Sequence, residues 1–365
     1  MRILILNWRD SKNPQSGGAE YVTQKHAKGW IKAGHTVSWF TSSFPGALRE
    51  ETIDGIRIIR AGNQFTVRLH AFLFYLRSRK KYDLVIDQIH GFPFYTPLYI
   101  KKPKIAFIHE VAGDIWNYMF PFPINSIGKF LERTSIQLYK NVLFWTDSPS
   151  TIDDLAACGI NRKKCTAIAC PIENEPLAVL PKKENDPTFI FVSRIVKMKG
   201  IEAVIAAFSL VHKRLPAAKL WIVGGGEETY VARLKKMVTE AGLEPSVKFW
   251  GRVNNTKKLE LLRRSWMLLH ASVKEGWGLV VLEAASQATP TVAYNVAGLR
   301  DSVRNDRTGV VIKNNTPEAM AEAAVRLVED KRRYERYQRN GLEWVKSITW
   351  KKAIAQSLAL LDKAT

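Results

Sequence analysis

Residues 274–284 read Lys274-Glu275-Gly276-Trp277-Gly278-Leu279-Val280-Val281-Leu282-Glu283-Ala284. The stretch starts with a carboxylate, bends through two glycines and enters an apolar run holding a second carboxylate. The strand-like run Trp266-Met267-Leu268-Leu269-His270 precedes it. Strand, glycine turn and helix in that order present ligand sites in α/β proteins. Glycines let backbone N–H groups approach a ligand, and a helix N-terminus favours anions. Glu283, if buried, needs partners, because an unpaired desolvated charge is costly; sugar and ribose hydroxyls are suitable donors. The plain alternative is a helix start with an acidic first turn and a solvated Glu283.

The same grammar recurs on both sides of this stretch. A buried strand at 188–193 leads into Arg194-Ile195-Val196-Lys197-Met198-Lys199-Gly200 and a helix at 201–214. Arg194 and Lys199 at a strand-to-helix junction suit a diphosphate: two cations plus backbone donors at the helix start. A strand at 219–223 ends in Gly224-Gly225-Gly226. A third, at 247–250, turns through Gly251-Arg252-Val253-Asn254-Asn255. Further strands are expected at 290–294 and 309–312, and helices at 317–328, 331–340 and 350–361. Ligand-type loops at successive strand ends carry more weight together than any of them alone.

The first half opens with a strand at 3–8, a polar loop closing on Gly17-Gly18, a helical period over 19–32 ended by Gly34, and a strand at 35–40. The fingerprint G-x-G-x-x-G is absent, and the glycine pair alone is a weak phosphate signal. Strands follow at 56–60, 83–87, 104–109, 142–147 and 164–169, with helical stretches between most of them. His109 closes one of these strands, at the carboxyl end where open parallel sheets bind ligands. Prolines between 171 and 187 mark a linker. The fold expected is α/β: two Rossmann-like doubly wound parallel-sheet domains, residues 1–175 and 176–345, with a closing helix in 346–365.

With 365 residues and 46% hydrophobic content, the chain can fill two cores. The net charge of +21 points to anionic partners, and the excess lies in both halves, +8 in residues 1–180 and +13 in 181–365. No nucleic-acid-binding module is evident, so nucleic acid is a disfavoured partner. Cys158, Cys165 and Cys170 form no C-x-x-C pair, which speaks against a disulfide framework and a zinc site. No run approaches the ~20 apolar residues of a spanning helix. Two aromatic-basic regions, 65–81 and 115–140, would suit an anionic membrane surface if exposed; their alternative is core-facing helices with solvated basic edges.

Together, Gly17-Gly18-Ala19-Glu20, Arg194…Lys199-Gly200, Gly224-Gly225-Gly226 and Glu275-x7-Glu283 resemble family 4 of the nucleotide-sugar glycosyltransferases. The resemblance covers almost the whole chain in order. Trp277 stands where many relatives carry Phe. It implies the glycosyltransferase-B fold, two facing Rossmann-like domains with the nucleotide-sugar held by the second and the acceptor served by the first. It implies backbone contacts from Gly17 and Gly18, donor phosphates on Arg194 and Lys199, and the base near Arg252 and Val253. Glu275 and the backbone of Gly276, Trp277, Gly278 and Leu279 would grip the donor sugar, with Gly224 nearby. Glu283 would bind the ribose, and His109 would touch the transferred sugar. The implied reaction is a retaining hexosyl transfer from a UDP- or GDP-sugar, without a metal or other cofactor. Acceptors would be a lipid-linked or cell-envelope glycan, a glycolipid or another hydroxyl compound. The expected location is cytoplasmic, peripheral on the inner face of the membrane. Rival readings are a nucleotide-sugar epimerase, a phosphorylase of the same fold, and a basic nucleic-acid-binding protein.

Overall fold

Short apolar runs separated by amphipathic segments become parallel strands covered on both faces by helices. The computed structural model describes residues 1–365 and divides them into two units, Met1–Cys170 with Trp350–Thr365, and Pro171–Thr349.

The first unit runs β1 (Arg2–Leu6), α1 (Gly18–Lys32), β2 (Thr36–Thr41), β3 (Glu50–Ile53), β4 (Ile56–Arg60), α2 (Val67–Ser78), β5 (Leu84–Ile89), β6 (Lys104–Ile108), α3 (Trp116–Met119), α4 (Ile124–Gln137), β7 (Leu143–Thr146), α5 (Pro149–Ala157) and β8 (Cys165–Ala167). Its sheet order is β3-β4-β2-β1-β5-β6-β7-β8. The direction of winding reverses between β1 and β5, the kind of switch point at whose strand ends open parallel sheets bind ligands. Register fixes which helix lies on which face. Leu6, Asp87, Ala106 and Phe144 are neighbours across β1, β5, β6 and β7 and share one face. Val67, Ala71 and Tyr75 of α2 pack there with Leu6, while Ile136 of α4 packs there with Ala106 and Phe144. Phe107 and Trp145 share the opposite face, where Trp145 meets His26 and Trp30 of α1.

The C-terminal helix, Trp350–Ala364, packs on α1 within this unit. Gly29 makes room for it: a Cβ there would lie 2.5 Å from Ile354. Ser357 Oγ accepts from Trp30 Nε1 at 2.9 Å and stands 2.9 Å from His26 Nδ1. Burial lowers the His26 pKa from 6.5 to about 3, with His109 adding to the effect.

The second unit runs β9 (Thr188–Val192), α6 (Ile201–Arg214), β10 (Lys219–Val223), α7 (Glu228–Glu240), β11 (Val247–Gly251), α8 (Asn255–Arg264), β12 (Met267–His270), α9 (Leu279–Ser286), β13 (Thr291–Ala293), α10 (Leu299–Ser302), β14 (Gly309–Val311), α11 (Pro317–Glu329) and α12 (Lys331–Ser347). Its six strands, all parallel, lie in the order β11-β10-β9-β12-β13-β14. Phe189, Phe191, Leu220, Ile222, Met267 and Leu269 pack on one face against α6 and α11.

Two sequence expectations are corrected. The first sheet is not wholly parallel, because β3 adds antiparallel to β4 through a turn at Asp54-Gly55 with both residues at positive φ. Nor is the segment from Pro171 to Pro187 a free linker. It lies on the second unit: Asn174 Nδ2 and Leu177 N–H donate to Ser286, and Glu184 N–H to Arg264. Lys183 is drawn in with it and donates to the carbonyls of Arg263 and Gln287 and to Thr289 Oγ1. Burial pushes its pKa well below the ordinary lysine range.

Ser357→Ala leaves Trp30 Nε1 buried without an acceptor, so it should lower the stability of the first unit by about 1–3 kcal/mol, read from denaturant unfolding. The depressed His26 pKa has a definite sign. Below 6.5 the unfolded chain takes a proton that the folded His26 refuses until about pH 3. Stability is therefore complete above 6.5 and falls as the pH drops towards 3, and His26→Gln should flatten that slope.

Candidate active site

In the second unit the opening stretch folds as the strand β12, a loop and the helix α9. The loop is held from both sides. Val273 N–H donates to the Met198 carbonyl at 3.0 Å, and Glu275 N–H to the Ala297 carbonyl at 3.2 Å. Gly298, at φ +77, sits so close that a Cβ would lie 2.2 Å from the Glu275 carbonyl oxygen.

This brings the Glu275 carboxylate to Lys199. The ammonium Nζ stands 2.6 Å from Oε1, with the two side chains only 13% and 14% exposed. Ser272 Oγ donates to the same oxygen at 2.7 Å, and His270 Nε2 lies 3.1 Å from it. Burial alone would raise the Glu275 pKa; Lys199 and His270 outweigh it and hold the carboxyl well below the usual range. Three groups thus converge on Oε1, and Oε2 makes no hydrogen bond. The carboxylate is ionised, fixed in direction and able to accept from hydroxyl donors. Its depressed pKa and its pairing with a lysine make it a weak proton acceptor, unsuited to a general base.

The other predicted donor-site residues fall in the surrounding loops. Arg194 leaves β9, is exposed, and its guanidinium makes no hydrogen bond or ion pair. Gly200 and Gly278 are the N-caps of α6 and α9, neither with a side-chain cap, so the first N–H groups of each helix stay open, while Val281 N–H donates to the Gly278 carbonyl at 2.9 Å; Leu279 is the first residue of α9. By contrast Ser148, Asn254, Thr316 and Asp330 cap α5, α8, α11 and α12 with their own side chains. Gly276 lies in the loop between Glu275 and α9, and Trp277 is buried with its Nε1 unpartnered. Gly224 has a packing reason: at φ +145 a Cβ would come within 1.8 Å of the Ser193 carbonyl oxygen. Arg252 is exposed and Val253 half-buried in the loop after β11. Glu283 is not solvated. It lies on α9 and pairs with Lys258 of α8 at 2.6 Å, the two side chains 18% and 22% exposed.

In the first unit, polar side chains line up at four neighbouring strand ends. Asn7 and Trp8 follow β1, His90 follows β5, His109 follows β6 and Asp147 follows β7. Asn7 Nδ2, Trp8 Nε1, the Nε2 atoms of His90 and His109, and Asp147 Oδ1 are all buried without partners. Such a row of unmet donors and acceptors is what a polar ligand can satisfy. Burial would lower the His109 pKa, but Asp147, 2.6 Å from Nδ1, outweighs it and raises the value. His90, whose ring lies 5.6 Å from that of His109, is held neutral by burial. Gly17 is the N-cap of α1, and its N–H donates to Glu20 at 2.7 Å; Gly18 is the first residue of the helix. The nearest atom to a Cβ on Gly17 would be 3.9 Å away and its backbone is extended, so packing does not demand this glycine.

Sequence reasoning missed His270, Ser272, Lys258, Asn7, Trp8, His90 and Asp147. Position at a strand end was the usable signal for His90 and Asp147, as it was for His109. No three His, Cys, Asp or Glu side chains are grouped so as to hold a metal ion.

Residues 16–175 match the model "Glycosyltransferase Family 4", and residues 173–344 match "Glycosyl transferases group 1". Part of the chain is 30% identical to a poly(glycerol-phosphate) alpha-glucosyltransferase of Bacillus subtilis (strain 168), over 44% of this chain and 23% of that protein. It is also 30% identical to a GDP-mannose-dependent alpha-(1-6)-phosphatidylinositol monomannoside mannosyltransferase of Mycobacterium tuberculosis, over 44% of this chain and 43% of that one. The matched part thus spans less than half the length of these curated relatives. Among solved structures, sucrose-phosphate synthase from Thermosynechococcus elongatus superposes with a TM-score of 0.82 at 20% identity, covering 99% of this chain and 98% of that one. Anabaena HepE in complex with UDP and glucose gives 0.76 at 17% identity over the full length of both.

Histidine NMR tests the effect of Asp147: the His109 imidazole should titrate above 6.5 in the native chain and below 6.5 in Asp147→Asn, where burial is no longer opposed. With a Glycosyltransferase Family 4 domain followed by a Glycosyl transferases group 1 domain over residues 16–344, and with this fold, the chain belongs with the family 4 glycosyltransferases of glycosyltransferase-B type.

Proposed function

We propose that the protein transfers a hexose from a UDP- or GDP-sugar to a hydroxyl acceptor with retention of configuration. The observation that carries this reading is the Glu275 carboxylate. One oxygen is saturated by Lys199, His270 and Ser272, and the other is free to accept from sugar hydroxyls. Uncapped starts of α6 and α9, with Arg194 and Lys199, supply donors and positive charge for a diphosphate.

In this reaction the bond from the anomeric carbon to the phosphate oxygen breaks. The acceptor oxygen adds on the same face, and its proton passes to the departing phosphate. Negative charge develops on the leaving diphosphate, where Arg194 and Lys199 stabilise it; this reading needs no metal. Lys199 serves both partners, orienting Glu275 on one side and meeting phosphate on the other. Glu283, oriented by Lys258, accepts from the ribose hydroxyls, and the exposed loop at Arg252 and Val253 meets the base. In the first unit His109, whose pKa Asp147 raises, is placed to donate from Nε2 to a sugar hydroxyl in its protonated form. The acceptor, served by the first unit, is a lipid-linked or cell-envelope glycan. Two relatives, named for a poly(glycerol-phosphate) and a phosphatidylinositol mannoside, support that choice.

A nucleotide-release assay across UDP- and GDP-sugars, with and without membrane extract as a source of acceptor, should show one nucleoside diphosphate released in proportion to acceptor. Glu275→Ala and Lys199→Ala should each lower that rate by about 100–1,000-fold with the circular dichroism spectrum unchanged. Near-native turnover in either variant, or conversion of the donor sugar without an acceptor, contradicts the assignment.

A further inference from the structure

The helix α4 has three distinct sides. Gly128, Glu132, Ser135 and Ile136 face the unit's core. Lys129 and Arg133 form a flank, continued by Lys140 just beyond the helix. The third side is apolar and uncovered: Ile124, Ile127, Phe130 and Leu131 are 51%, 53%, 65% and 43% exposed. Met119 and Phe122 before the helix extend it, at 55% and 81%. Such a contiguous apolar face is more than a soluble surface ordinarily carries. It lacks free negative charge. Glu132, the sole carboxylate of α4, is turned inward to accept from Ala112 N–H, Gly113 N–H and Trp116 Nε1, and the nearby Asp114 pairs with Lys129.

The same sheet face carries α2, which repeats the pattern. Phe65, Leu69 and Leu76 are 80%, 60% and 44% exposed, and the exposed Arg77, Arg79, Lys80 and Lys81 follow. No Asp or Glu occurs between Asp54 and Asp83. No helix is long and apolar enough to cross a membrane, and α4 with its 14 residues is only ~21 Å long.

We propose that α4, with the segment before it, and α2 form a docking face for an anionic lipid surface. α4 lies in the plane of the interface with Ile127 and Phe130 inserted, and the cations of Lys80, Lys81, Arg133 and Lys140 meet lipid headgroups. Charge decides the occupant. A second copy docked through this face in a two-fold contact would set the same cations against themselves, in a chain whose net charge is already +21. An anionic bilayer satisfies both the apolar stripe and its basic border. This inference does not depend on the transfer reaction.

The test is flotation of the full chain with vesicles of phosphatidylcholine alone and of phosphatidylcholine mixed with phosphatidylglycerol, at low and high salt. The chain should float with the mixed vesicles, less so in high salt, and not with the neutral ones. Ile127→Glu/Phe130→Glu should reduce the partition by about a hundredfold or more, since two large apolar side chains lose their burial. Arg79→Glu/Lys80→Glu/Lys81→Glu should reduce it by about a hundredfold through charge alone. Both variants alter exposed side chains, so their circular dichroism spectra and thermal unfolding should match the native chain. Equal flotation on both vesicle types, flotation on neither, or partition unchanged in both variants overturns the proposal. A lipid-free dimer that Ile127→Glu/Phe130→Glu dissociates in sedimentation velocity also overturns it, and assigns the face to a second copy.

Discussion

One ion pair organises the second unit. Lys199 and Glu275 are almost excluded from water, and their charges would be costly there if either stood alone. Such a pair adds little net stability but is expensive to break on one side, so it fixes geometry more than it strengthens the fold. Its two residues come from loops after different strands. Holding them at 2.6 Å requires that β9 and β12 be neighbours, that the 197–199 turn bond to Val273, and that Gly298 give way to the Glu275 loop. The parallel sheet supplies the first condition and the glycine the last.

The first unit solves a different problem with the same architecture. Its strand ends carry neutral or mixed polar groups, several of them buried without partners. A fold that leaves Trp8 Nε1 and two histidine Nε2 atoms unmet gives up stability that a ligand can restore. Asp147 makes the difference between the two histidines. His109 has a carboxylate on its ring and His90 does not, so burial neutralises His90 while His109 holds a proton to higher pH than a free imidazole.

Most strands were legible because four to six consecutive apolar residues between polar turns have few other uses. β3 was not, since Glu50-Glu51-Thr52-Ile53 is an edge strand and does not need two apolar faces. Asp54-Gly55 was the readable sign of its hairpin. At the site, Glu275 and Lys199 stood out by residue type and by the glycines beside them. That they bind each other could not be read from spacing, because 76 residues separate them. His270 looked like one more core position of an apolar strand, and only the turn that swings Glu275 back shows its role. Lys258 and Lys183 were lost among many lysines, since composition does not say which ammonium is buried. The exposed stripe of α4 read from sequence equally well as core or as surface, and only the packing of Glu132 and Ile136 decided which side faces in.

The measurement that bears most directly on this account is hydrogen–deuterium exchange of the full chain with and without UDP or GDP. A donor diphosphate held by Arg194, Lys199 and the uncapped helix starts should slow exchange at 194–203 and at 278–281 with at least one nucleotide. Unchanged exchange at both segments with either nucleotide at saturation, or protection confined to the first unit, would contradict it.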